Sequence, residues 1–297
     1  MDPPEEHGAV SSEESSLPSS SLSEVLAAIK SLDPLPQVAM RVLQLSRAED
    51  VIPRELVEVI QTDVAITAKV LKLCNSAYFG FRRKIASLHE AGNLLGISTL
   101  VNLVLTSCAS RYFRDYGRSG LRSRQTRWEE SVTNALAASL VAGEVKVDKP
   151  RAYTAGLLMN IGHLVMDRFL PEKQEALKSA MSFGASRLEA ERAVLGLDHA
   201  EIGARLAQRW DLPEILVDCI RFHHRPAEAS QDAKLACCAH LGEILTQTLR
   251  NGEQAEAWPY ALHGGALGIC SLTEAQLEGI ESQVRAEMRQ VRELLEV

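Results

Sequence analysis

Residues 153–169 read Tyr-Thr-Ala-Gly-Leu-Leu-Met-Asn-Ile-Gly-His-Leu-Val-Met-Asp-Arg-Phe, and the fold is decided by how they are read. Leu157, Leu158, Ile161, Leu164, Val165 and Met166 recur at helical spacing, while Gly156 and Gly162 let another backbone come close. The spacing predicts a single buried helix. In its middle stand Met159, a thioether suited to filling core space, and Asn160, an amide that needs hydrogen-bond partners once buried.

Helix signals continue on both sides. Ser21-x-x-Glu24, Ser87-x-x-Glu90, Thr126-x-x-Glu129, Ser186-x-x-Glu189 and Thr273-x-x-Gln276 each match the box that satisfies free N–H groups at a helix start. Asp198 and Glu201 add a further N-cap, and Pro36, Pro53 and Pro213 stand where a first-turn proline is tolerated. Ala, Leu, Glu and Arg outweigh aromatic residues, and no segment alternates with period two, so the expected fold is all-α. A first helical lobe is expected over 21–115, with helices near 22–31, 37–47, 53–61, 64–75, 87–95 and 98–113. A second lobe is expected over 126–250, and a helical extension over 251–297 that is weak before 272 and amphipathic from Thr273 to Leu295.

Residues 1–20 hold six Ser and five acids without Lys or Arg, the composition of a disordered acidic tail. Arg111, Arg114, Arg118, Arg122, Arg124 and Arg127 oppose only Asp115, and the Gly-containing stretch 116–125 reads as a basic linker. That run is either a solvated surface or a place for an anionic ligand or partner. Across all 297 residues the net charge is −7, which argues against a nucleic-acid-coating surface. The six cysteines lack a Cys-x-x-Cys pair and sit in apolar runs, as reduced core thiols do; adjacent Cys237 and Cys238 point to different sides of a helix. The N-terminus offers neither a basic nor an apolar signal region, and no apolar run spans a bilayer, so a cytoplasmic chain is expected. Phosphate-cradling, dinucleotide, nucleophile-elbow and zinc-finger motifs do not occur.

Three further segments carry a family resemblance: Leu32-Asp33-Pro34-Leu35-Pro36, Leu73 to Gly80 with its Asn75-Ser76-Ala77-Tyr78, and Ser87 to Gly96. In order and spacing over about 24 to 240 the chain resembles the HDOD branch of the HD phosphohydrolase superfamily, a bacterial signal-transduction group. The resemblance implies a multi-helix fold with an N-terminal lobe and an HD-like lobe. It also implies that the adjacent His and Asp of catalytic relatives fall at Met159 and Asn160, another ligand position at Glu130, imidazole ligands at His199, His223 and His224, and a final Asp at His240. Asn75, Ser76 and Tyr78 either hold a turn or form a partner-contacting loop.

The replaced pair can be judged on coordination chemistry. A thioether prefers soft metals and a neutral amide supplies only a dipole, so affinity for a hard divalent cation is expected to be poor. His163 and Asp167, four apart, can pair along one helix face. The expectation is therefore a non-enzymatic regulatory module with no cofactor and a vestigial metal site. It would bind a signalling protein or a nucleotide second messenger, and neither membrane nor nucleic acid. The alternative is a residual metal-dependent phosphohydrolase or phosphodiesterase that uses the remaining histidines, with Glu130 or His240 as a further ligand.

Overall fold

Backbone N–H groups at a helix start must find acceptors, and the chain supplies them at short intervals. The structure, a computed structural model, describes residues 19–46, 52–76, 79–116, 124–251 and 260–290. In order come α1 (Ser19–Ser31), α2 (Gln37–Leu45), α3 (Pro53–Gln61), α4 (Val64–Cys74), α5 (Leu88–Leu95) and α6 (Ile97–Tyr116). Then follow α7 (Arg124–Val145), α8 (Lys149–Leu158), α9 (Gly162–Phe169), α10 (Gln174–Ser182), α11 (Arg187–Leu195) and α12 (His199–Arg209). The last four are α13 (Glu214–Phe222), α14 (Ala233–Asn251), α15 (Tyr260–Cys270) and α16 (Glu274–Gln290). No strand occurs among the described residues, so the fold is all-α as the sequence predicts. The 1–18 part of the acidic tail, Tyr78, Arg118 and Arg122 lie outside the described residues.

Three of the five expected boxes sit at helix starts. Ser87 accepts from the Glu90 N–H, Ser186 and Glu189 cap each other reciprocally, and Thr273 does the same with Gln276. Ser21 and Thr126 instead lie inside α1 and α7, because both helices begin two residues earlier. Asp198 accepts from Glu201 N–H at the start of α12.

The central stretch departs from the single predicted helix. It breaks at Met159–Ile161, where the backbone tightens: Ile161 N–H donates to Leu158 O and His163 N–H to Asn160 O. The break redirects α9 so that Gly162 meets α12. A Cβ there would stand 2.0 Å from the His199 carbonyl oxygen, and one on Gly156 would stand 2.6 Å from the Asn134 oxygen. Both glycines are thus close-approach positions, as the sequence reading held.

One continuous core runs through α1 to α14 and reaches α16. Helices α7, α8 and α14 pack together at its centre, and α6 lies against α7, α8 and α9. A buried hydrogen bond of 2.9 Å joins Thr106 of α6 to Tyr153 of α8. α1, which opens the expected first lobe, packs on α9, α11 and α12 of the second. Its C-terminal carbonyls are held by Arg209, which donates to Ile29 O and Leu32 O.

Asn75 ends α4 and locks the following loop: Nδ2 donates to Leu71 O and Ile85 O, and Oδ1 accepts from Ile85 N–H at 2.7 Å. Its role is to hold the turn. Ser76 is buried. All six thiols are free and buried. The amphipathic C-terminal helix docks on the body, with Ile280 and Val284 buried and α16 packed on α7 and α14. Among the described residues no helix is long and apolar enough to cross a membrane.

Gly162→Ala should therefore cost about 3 kcal/mol, the upper range for an overpacked core, because backbone atoms cannot yield. Gly265→Ala, where a Cβ meets nothing within 4 Å, should be neutral or gain up to about 1 kcal/mol. Urea denaturation of the two variants checks the contrast.

Candidate functional site

Capping chemistry places the first histidine. Asp198 starts α12, so His199 occupies its first turn, and the α9–α12 contact sets it beside His163 with ring centroids 4.0 Å apart. Glu191 of α11 then fixes the ring: Oε2 accepts from the His199 backbone N–H at 2.8 Å and from Nδ1 at 2.6 Å. Its other oxygen accepts from Arg187 Nε at 3.0 Å. Burial alone would raise the Glu191 pKa, but His199 and Arg187 together hold it down at about 2.

The end of α13 supplies His223 and His224, and α14 supplies His240 and Glu243. His223 Nδ1 is 2.7 Å from Ile220 O, and His240 Nδ1 is 2.8 Å from His223 O. A carbonyl accepts only, so both Nδ1 atoms carry the proton and both Nε2 atoms carry the lone pair. Those two Nε2 atoms are buried and lack a hydrogen-bond partner. His224 Nε2 faces His199 Nε2 at 2.9 Å, and His224 Nδ1 lies 3.6 Å from Glu243 Oε2. Burial lowers the pKa of His223 to about 4, that of His224 well below its ordinary value, and that of His240 also. All three are neutral at physiological pH.

His163, His199, His224, His240 and Glu243 line a cavity of about 430 Å³ together with Arg127, Glu130, Asn134, Asn160, Arg187 and Gln247, and His223 lies buried behind His224. Five of the eight histidines in the chain, at 163, 199, 223, 224 and 240, thus meet in one place. Asn160 donates from Nδ2 to Glu243 Oε1 at 3.1 Å, and its Oδ1 is buried without a partner. Met159 is 0% exposed and belongs to the core instead. Glu130 is ion-paired with Arg250.

The arginine run does not form one surface. Arg111 is exposed, whereas Arg127 is 5% exposed and pairs with Asp167, Nη2 to Oδ1 at 2.9 Å. Arg114 and Arg124 lie on α6 and α7, outside the described side chains. Of the two residues that stand four apart on this helix, Asp167 accepts from Arg127, and His163 stacks on His199 with its Nδ1 3.9 Å from Glu191 Oε1. Burial raises the Asp167 pKa against the pull of Arg127. The sequence reading did not single out Glu191, Glu243 or Arg187. The available signal for Glu191 was Arg187 four residues before it and His199 eight after.

The HDOD domain matches residues 32–226. The chain belongs to the HDOD family. A curated Treponema pallidum (strain Nichols) protein, described as uncharacterised, is 32% identical to this HDOD protein over 218 residues. That alignment covers 68% of this chain and 40% of the relative, so the chain spans well under half of that relative's length. A Geobacter sulfurreducens HDOD domain protein of unknown function has the same fold, with a TM-score of 0.78, 23% identity and coverage of 93% of this chain and 98% of that one. A provisionally named phosphohydrolase from Shewanella amazonensis SB2B gives 0.72 at 24% identity, covering 91% and 98%. A provisionally named signal transduction protein from Marinobacter aquaeolei VT8 gives 0.70 at 22%, covering 93% and 64%.

Arg127→Met should strip Asp167 of its guanidinium inside the core and cost about 3–5 kcal/mol. Adding Asp167→Leu should recover most of that loss. Chemical denaturation of the single and double variants tests this, and equal stability of wild type and Arg127→Met would refute it.

Proposed function

We propose that this HDOD protein is a non-enzymatic regulatory module that works by binding, with the histidine-lined cavity as its recognition site. One observation carries the reading. Where catalytic relatives place an imidazole and a carboxylate, Met159 is packed in the core and Asn160 spends its amide on Glu243. Positions 159 and 160 themselves offer a hard divalent cation neither a nitrogen donor nor an anion, and generating hydroxide from a bound water needs that charge.

The remaining carboxylates around the cavity are also committed. Glu130 pairs with Arg250, Asp167 with Arg127, and Glu191 with Arg187 and His199. The partner in this reading is a signalling protein or a small nucleotide ligand, in a cytoplasmic setting. The net charge of −7 disfavours nucleic acid. The rival reading is a phosphohydrolase, and the Shewanella amazonensis neighbour carries that provisional name.

Purified protein supplied with Mg²⁺, Mn²⁺ or Fe²⁺ should hydrolyse generic and cyclic phosphodiesters no faster than buffer. Turnover that is lost in His223→Ala would overturn the regulatory reading.

A further inference from the structure

Helix α14 turns one face into the cavity: His240, Glu243 and Gln247, spaced three and four apart, all line it. That face and its neighbour Asn160 present acceptors. His240 is 3% exposed, and its Nδ1–H is held by the His223 carbonyl, so the buried, unpartnered Nε2 is a lone pair. Asn160 donates from Nδ2 to Glu243 Oε1, which fixes the amide and leaves its Oδ1 buried with no donor.

Charge points the same way. Two carboxylates line the cavity, and one of them, Glu130, is ion-paired with Arg250. Each arginine of the wall is likewise matched by an acid: Arg127 by Asp167, Arg187 by Glu191, Arg192 by Asp198 and Arg225 by Glu228. Glu243 is different. Among the described residues no Lys or Arg reaches it; it meets the Asn160 amide and the neutral His224, whose Nδ1 is 3.6 Å away. One negative charge and two lone pairs without donors thus face a single space whose positive groups are already paired.

We infer that the cavity recognises an organic cation rich in N–H donors, an ammonium or guanidinium group, with Glu243 taking its charge and Asn160 Oδ1 and His240 Nε2 its remaining N–H groups. Water or an alcohol satisfies the two lone pairs but leaves the buried carboxylate without a counter-ion. A cation lacking N–H groups does the reverse. An anion sets like charge beside Glu243 and brings no hydrogen to either acceptor. The volume of about 430 Å³ also holds a short carbon chain behind the charged group. A free amine and the Lys or Arg side chain of a protein share this chemistry.

The inference rests on the reading of this cavity as a binding site and names its ligand class. The full chain is titrated by calorimetry at constant ionic strength with butylammonium and butylguanidinium. Tetramethylammonium serves as a charge without N–H groups, butanol as a donor without charge, and inorganic phosphate as an anion. At least one of the two N–H cations should bind one-to-one and at least about 10-fold tighter than the three other probes. Glu243→Gln, which keeps an oxygen for Asn160, should weaken that binding about 10–100-fold. Circular dichroism checks that the variant is folded; if it is not, the order of the probes on the wild type decides alone. Acetyl-Gly-Arg-Gly-amide and its Lys counterpart separate the sources. A peptide binding tighter than the free cations supports a partner's side chain as the occupant, and the opposite order supports a free amine. No saturable binding of either N–H cation, equal binding of tetramethylammonium or phosphate, or indifference to Glu243→Gln overturns the cation site and leaves the non-enzymatic reading intact. Phosphodiester turnover that is lost in His223→Ala overturns that reading whether or not the amines bind.

Discussion

The contact of Gly162 with the carbonyl of His199 is the constraint on which the pocket depends. Two backbones meet there with no side chain between them, and Gly203 of α12 faces the same crossing from the other side, with its own Cβ position 3.1 Å from the Gly162 nitrogen. Glycine opposite glycine lets α9 and α12 approach further than any alanine pair would allow. The histidines that follow or flank the crossing, His163 and His199, are consequently brought face to face. Had α8 continued straight through Met159–Ile161, α9 could not have reached α12, so the break in the central helix and the glycine crossing are one feature.

Arginines offset most of the acids around this cluster. Beneath and around the imidazoles, Asp167, Glu191 and Asp198 are matched by Arg127, Arg187 and Arg192. In a medium of low dielectric constant an unmatched carboxylate would either be protonated or pull a proton onto a neighbouring imidazole. Pairing these three acids with guanidinium groups removes their pull; Glu243, held by Asn160 and facing His224, still pulls upward on His223 and His240, but burial outweighs it and lowers the pKa of both, as it does that of His224. Asn160 adds no charge to the same wall and spends its amide on Glu243.

Much of the fold was legible because it is written in local chemistry. Helix starts at Ser87, Ser186 and Thr273 follow from a cap and its partner three residues on, and the glycines at 156 and 162 declared close packing. The break at Met159–Ile161 was not legible, since apolar spacing runs through it unbroken and only the tertiary contact with α12 and the bond from Asn160 to Glu243 select it. In the site, the histidines at 199, 223, 224 and 240 were picked out, yet Glu191 was hidden in an Arg- and Glu-rich stretch that looks like a solvated face. Its burial comes from eight residues of chain folding back to His199. Arg127 was misplaced for the converse reason: a run of like charges in sequence says nothing about which member turns inward to meet Asp167, forty residues away.

The wall of the cavity of about 430 Å³ is fixed before anything enters it. His240 keeps its Nδ1–H on the His223 carbonyl, so the lone pair at its buried Nε2 points where the backbone of α13 and α14 directs it. Glu243 on the same helix accepts from Asn160 and faces His224, which ties α14 to the break between α8 and α9 and to the end of α13. A buried acceptor that has already lost its hydration costs free energy until a donor reaches it, so a molecule that brings an N–H or O–H to that lone pair gains more there than it would at an exposed imidazole. The direction of that lone pair is set by a main-chain carbonyl, which no side-chain substitution removes. The selectivity of the cavity is in this sense a property of how the helices end and cross, and follows from the same glycine contact that brings α9 onto α12.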